Sequence, residues 1–226
     1  MFEDGFQSEI ESAALATGYG PILRNSGRES FSLRQQIFEQ VRASGRIARA
    51  TIARSLDVSP GSVTALTAEL IADGFLREVE GATRETSRGR PPVALEVVPQ
   101  ALRVVGVKLS DETHTAVLTD LAGNLLASAA LGSTTDKKTA ADLLKDTENL
   151  MTQLCTSAGI PTDTISAIGV GISGIVDFES GMVAWSPLLQ NADVPLGQIL
   201  ADHFETPVRI DNDANVLTLA ELWFGA

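Results

Sequence analysis

The sequence predicts an α/β protein in two parts. The first is a head of three helices and a β-hairpin, a winged helix; the second is a body built as a ribonuclease-H-like lobe. Three observations carry this expectation. Apolar residues recur at helical spacing in three short segments between Ser32 and Asp73, and two strand-like runs follow, Phe75–Val79 and Ala94–Val97. From about Leu102 the pattern becomes strands and helices in the order β-β-β-α-β-α-β-α. The charge changes at the same place. Residues 30–100 hold nine Arg and eight acidic residues, whereas residues 101–226 hold six basic and sixteen acidic ones.

The elements follow in order. Residues 1–30 are rich in Gly, Ser and Glu and are broken by Gly18-Tyr19-Gly20-Pro21, which reads as a flexible extension with a short helix near Ser8–Leu15. A head is expected over residues 31–98. Ser32 caps a helix to about Ala43, with Leu33, Ile37, Phe38 and Val41 on one face, and Ser44-Gly45 ends it. A second helix, about Arg49 to Leu56, buries Ile52, Ala53 and Leu56. Asp57-Val58-Ser59 is the turn, with Ser59 as N-cap and Pro60 at the first helical position of a third helix that buries Val63, Leu66, Leu70 and Ile71. Gly74 is its C-cap. In the body, residues 102–226, strands are expected at Val104–Leu109, Thr115–Thr119, Leu125–Leu131, Ile165–Ile172 and Val208–Asp211. Helices are expected at about Thr139–Ala158, Leu196–Phe204 and Ala214–Phe224, and Ile175-Val176 with Met182-Val183 forms a small hairpin.

The chain's 226 residues carry a net charge of −12, with no apolar run near ~18–20 residues, so no membrane partner is expected. The start, Met1-Phe2-Glu3-Asp4-Gly5, lacks a basic and apolar secretory leader, which points to the cytoplasm. One Cys and two His exclude a disulfide within the chain and leave little for a metal site. His114, between two Thr, reads as a surface residue, His203 as a helix-end residue and Cys155 as buried packing.

A helix–turn–helix sends the N-terminus of its second helix to base edges. Here that face is Ser59, Gly61, Ser62, Thr64 and Ala65. These are small residues: hydroxyls meet several bases and methyls touch thymine, but none makes a bidentate base contact. Arg46, Arg49 and Arg54 are candidate phosphate clamps. Arg88-Gly89-Arg90, followed by Pro91-Pro92 and joined by Arg84, forms a narrow basic arm suited to a minor groove. The expected partner is a double-stranded DNA operator, bound by a homodimer.

With both halves read, the chain resembles the ROK family, whose name joins repressors, open reading frames and sugar kinases. In the head the resemblance lies in Thr51-Ile52-Ala53 through Ser59, in Ala72-Asp73-Gly74-Phe75-Leu76 and in Gly89-Arg90-Pro91-Pro92. In the body it lies in Gly169-Val170-Gly171-Ile172-Ser173-Gly174-Ile175-Val176-Asp177, in Asp211-Asn212-Asp213-Ala214-Asn215 and in Ala220-Glu221-Leu222-Trp223-Phe224-Gly225. The resemblance implies that Gly174, Asn212 and Asp213 contact a sugar or sugar-phosphate effector. Asp213, placed before a helix, also reads as its cap.

The departures from the family pattern bear on function. Kinase members carry an Asp-x-Gly-Gly-Thr phosphate loop where this chain has Lys108-Leu109-Ser110-Asp111-Glu112. A cation replaces the metal-side carboxylate and two carboxylates stand where phosphate would lie, so ATP binding and enzymatic activity are expected to be lost. Leu188 and Ala192 replace the family's Asn and Trp. The second lobe, with the family's zinc cluster and further sugar ligands, is expected beyond Ala226, so this chain is expected to hold no cofactor. The expected function is a sugar-sensing transcriptional regulator, a repressor of carbohydrate-related genes. The alternatives are a sugar kinase with a fused head and a truncated, constitutive DNA binder.

Overall fold

A computed structural model describes residues 32–80 and 93–224, which fall into two compact units: one holds the described residues up to Ala101 together with Leu222–Phe224, the other Leu102–Glu221.

In the first unit, α1 (Leu33–Ser44) starts at a capping box. The Ser32 hydroxyl accepts the Gln35 N–H, and the Gln35 side chain takes the Ser32 N–H in return. Gly45, at φ +67°, ends the helix. A two-residue strand, β1 (Ile47–Ala48), precedes α2 (Arg49–Leu56), and Asp57 turns the chain in the left-handed region. Helix α3 (Pro60–Ala72) is capped by Ser59, whose Oγ accepts the Ser62 N–H at 3.0 Å. Its C-cap is Asp73, and Gly74 is the next residue, at φ +79°. Strands β2 (Leu76–Val79) and β3 (Ala94–Val97) pair antiparallel, and β1 adds to the other edge of β3. Ile37, Val41, Ile52, Val63, Leu70, Leu76 and Leu95 form the core. Three details depart from the sequence expectation. Strand β1 was unforeseen; Leu56, Leu66 and Ile71 are half-buried; and Thr67 is fully buried.

The second unit is built on a five-stranded sheet ordered β10-β7-β4-β5-β6. Its strands are β4 (Arg103–Leu109), β5 (Thr113–Asp120), β6 (Leu125–Gly132), β7 (Ala167–Ile172) and β10 (Val208–Asn212). Strands β4, β7 and β10 run parallel, and β5 and β6 return antiparallel. Alternation fixes the faces. Val105, Val107 and Leu109 point with Ile168, Val170 and Ile172 into a core closed by α4 (Ala140–Ala158) and α5 (Leu196–Phe204). Gly106, Lys108, Gly169, Gly171, Arg209 and Asp211 point the other way, where Val216 and Leu219 of α6 (Asp213–Phe224) meet them. Helix α4 is closed at one end by a Thr139–Asp142 capping box and at the other by Gly159. A hairpin of β8 (Ile175–Asp177) and β9 (Met182–Trp185) leaves the end of β7. In this unit the strands and α-helices follow the order read from the sequence.

His114 corrects an expectation. It is not on the surface but fully buried on the inward side of β5, beside Ala116 and Leu118. Its Nδ1 accepts the Ser110 N–H at 3.0 Å, and its Nε2 lies 3.3 Å from Asp146, which Lys138 also holds. Burial is the main cause that lowers its pKa, with Lys138 acting in the same direction and Asp146 opposing. The imidazole is therefore held neutral.

Candidate functional site

In the first unit, Ser59, Gly61, Ser62, Thr64 and Ala65 are all exposed around the start of α3. Their placement follows from the local sequence. Ser59 and Pro60 start the helix, and Val63, Thr67 and Leu70 bury its opposite side. The hydroxyls already have local work. Ser59 Oγ lies 2.8 Å from Ser62 Oγ, and Thr64 donates to the Pro60 carbonyl at 2.8 Å, which leaves the Thr64 oxygen free to accept.

The three basic candidates differ in their surroundings. Arg54 is exposed and donates only within its own helix, to Ala50 and Thr51. Arg49, expected as a phosphate clamp, has internal partners instead. Its Nε donates to buried Thr67 at 2.8 Å, and a terminal nitrogen pairs with Glu78 at 2.8 Å. Those bonds tie α2 to α3 and β2, and they satisfy the buried Thr67 hydroxyl that the apolar pattern did not anticipate. Arg46 is half exposed and donates through Nε to Glu96 at 2.6 Å. Arg84, Arg88, Gly89, Arg90, Pro91 and Pro92 lie outside the described residues.

In the second unit, the structure brings Gly174, Asn212 and Asp213 together at the carboxyl ends of β7 and β10. These strands are in register from Val208–Ile168 to Asn212–Ile172, so the loop after one necessarily meets the residues that end the other. Asn212 Nδ2 donates to the Gly174 carbonyl at 2.7 Å. Its Oδ1 accepts the Ala214 N–H at 2.9 Å and Asp213 Oδ1 accepts the same N–H at 3.0 Å, so both side chains serve the start of α6. Asp213 also reaches back to the loop, where it accepts the Ser173 hydroxyl at 2.6 Å. Ser173 and buried Ser186 were missed in the sequence; Ser186 donates to the Ser173 carbonyl at 2.7 Å. A hydroxyl beside a glycine in a Gly-rich loop was the available signal for Ser173. Gly174 is at φ +146°, and a Cβ there would lie 2.1 Å from the Trp185 carbonyl oxygen. Leu188 is packed in the core. The cluster brings a carboxylate, an amide and bare backbone together in one place.

A separate groove of about 370 Å³ runs over the outer face of the sheet, lined by Gly106, Gly169 and Gly171 and flanked by Lys108 and Arg209. Gly174, Asn212 and Asp213 do not line it. Lys108 stands exposed near the end of β4, and exposed Asp111 and Glu112 follow it. Among the described residues no group of three or more His, Cys, Asp or Glu is arranged to hold a metal, and no helix is long and apolar enough to cross a membrane.

Residues 104–226 match the model of the ROK family, and the chain belongs to that family. It is 32% identical over 183 residues to the xylose repressor of Caldicellulosiruptor bescii, covering 79% of this chain and 44% of that protein. It is 29% identical over 184 residues to the DNA-binding transcriptional dual regulator NagC of Escherichia coli K12, covering 80% of this chain and 44% of that protein. The chain thus spans about half the length of the curated relatives it matches. Among solved structures, a ROK family transcriptional regulator homologous to the E. coli MLC protein has a TM-score of 0.65 at 23% identity, covering 83% of this chain and 47% of that one. That likeness concerns the fold alone.

Proposed function

We propose that this chain is a DNA-binding transcriptional regulator, a repressor of carbohydrate-related genes. In this reading residues 31–98 form a winged-helix head behind a 1–30 extension, and residues 102–226 form a ribonuclease-H-like, sugar-sensing lobe. The observation that carries the reading is the exposed run of small residues at the capped start of α3, which leaves that helix end free to approach a duplex closely. The names of the relatives, a xylose repressor and NagC, agree with it. Ser59, Gly61, Ser62, Thr64 and Ala65 face base edges, Arg46 meets phosphate, and Arg88-Gly89-Arg90 enters the minor groove. A homodimer places two heads on a pseudo-palindromic operator. A sugar or sugar phosphate at Gly174, Asn212 and Asp213 shifts the placement of the heads.

A gel-shift titration with an operator fragment tests the arm. Arg88→Ala with Arg90→Ala is expected to weaken binding more than roughly tenfold, and unchanged affinity removes the minor-groove role. The kinase reading is disfavoured by exposed Lys108, Asp111 and Glu112 where phosphate would sit. No sugar-dependent ADP release is expected in a coupled assay with hexoses and amino sugars.

A further inference from the structure

We propose that Arg46, Glu96 and Arg77 form a preset clamp for the phosphodiester backbone of duplex DNA, with Glu96 as its positioning residue. The inference rests on the DNA-binding reading above and deepens it. The sheet order places β3 between β1 and β2, so Glu96 is flanked on both sides. Arg77 is its direct partner on β2, and Arg46 immediately precedes the Ile47–Leu95 pair of β1. Each carboxylate oxygen takes a different guanidinium: Arg46 Nε donates to Oε2 and Arg77 Nε to Oε1, both at 2.6 Å. The Glu96 side chain is 11% exposed, whereas those of Arg46 and Arg77 are 53% and 57% exposed.

Structural pairing needs one cation. Two leave a surplus positive charge on a surface whose carboxylate is covered. An Arg side chain carries five N–H donors, and Glu96 engages only some of those on either partner, so donors remain on the exposed edges. Fixing two guanidiniums before contact removes part of the ordering cost of binding an anion. In the chain, Arg46 precedes and Arg77 follows the α2–α3 pair, so the clamp flanks the reading helix in sequence. Such contacts hold the register of a protein on DNA without choosing bases.

The test is a salt titration of the full chain against a random-sequence DNA duplex, read by fluorescence anisotropy. Arg77→Gln is expected to weaken binding severalfold and to reduce the slope of log K against log salt by about 1. Arg77→Lys keeps the charge, and so the slope, but loses the fork that serves Glu96 and phosphate together; it is expected to bind more weakly than wild type. Glu96→Gln separates positioning from charge. Charge alone would make it bind more tightly, whereas the clamp requires it to bind more weakly despite the lost negative charge. Tighter binding by Glu96→Gln, or an Arg77→Gln slope equal to that of wild type, overturns the clamp alone. No binding by the wild-type chain at low salt overturns the DNA-binding reading and the clamp with it.

Discussion

Gly174 combines a left-handed-side backbone angle, φ +146°, with a carbonyl oxygen where its Cβ would be. Gly174→Ala is therefore expected to cost roughly 1–3 kcal/mol in backbone strain alone, with the steric overlap added, and urea unfolding measures it. His114 gives a pH prediction. Its folded-state pKa is lowered, so below about pH 6.5 the unfolded chain takes up a proton that the folded chain refuses. Stability then falls with pH by up to about 1.4 kcal/mol per unit until the folded imidazole also protonates. The groups facing that imidazole are Asp146, Lys138 and the Ser110 N–H. His114→Asn retains an acceptor near Nδ1 and removes the titration, so its urea midpoint should vary less between about pH 6.5 and 5; an equal slope in the variant would disprove the assignment. The two flanking Thr residues made His114 look superficial. The decisive signal was parity, because His114 shares its strand face with Ala116 and Leu118.

At the scale of elements, caps and breakers were the legible part. Ser32, Ser59 and Gly45 set helix ends through local hydrogen bonds that need no tertiary context. Strand β1 was illegible because two residues carry no period; only pairing with Leu95 and Ala94 makes Ile47-Ala48 a strand. The meeting of Asn212 with Gly174 was legible only through the family resemblance, since the bond between them depends on β10 pairing with β7 across 38 residues of chain. In the first unit's sheet, Arg46 is the leading cause that holds the Glu96 carboxyl below its usual range, with Arg77 adding to it. The sign follows from that depression. This stabilisation is complete above about pH 4.3, where an unfolded Glu ionises, and is lost as pH falls through the lower folded value. Comparing the acid unfolding of wild type and Glu96→Gln tests this: their difference in stability should shrink on acidification. Helix α6 exposes Val216, Leu217, Leu219 and Leu222. Sedimentation velocity of this chain is expected to show concentration-dependent association, and Leu217→Lys with Leu222→Lys to reduce it.

For the whole molecule, two units with separate cores predict more than one unfolding transition. Calorimetry should give a total enthalpy larger than the van't Hoff value, and equal values would show that the units unfold as one. The charge division read from composition belongs to this scale too: under the proposed DNA-binding reading, a body of −10 would repel a duplex and leave residues 30–100, at +1, as the segment to meet it. One amide acquires a further meaning here. Asn212 holds the Gly174 carbonyl with its nitrogen and the first turn of α6 with its oxygen. The helix it anchors is a rod of twelve residues, about 18 Å long at ~1.5 Å per residue. Asn212 is thus a pin: one side chain ties the start of that rod to the Gly174 loop, so the two cannot separate without breaking one of its hydrogen bonds.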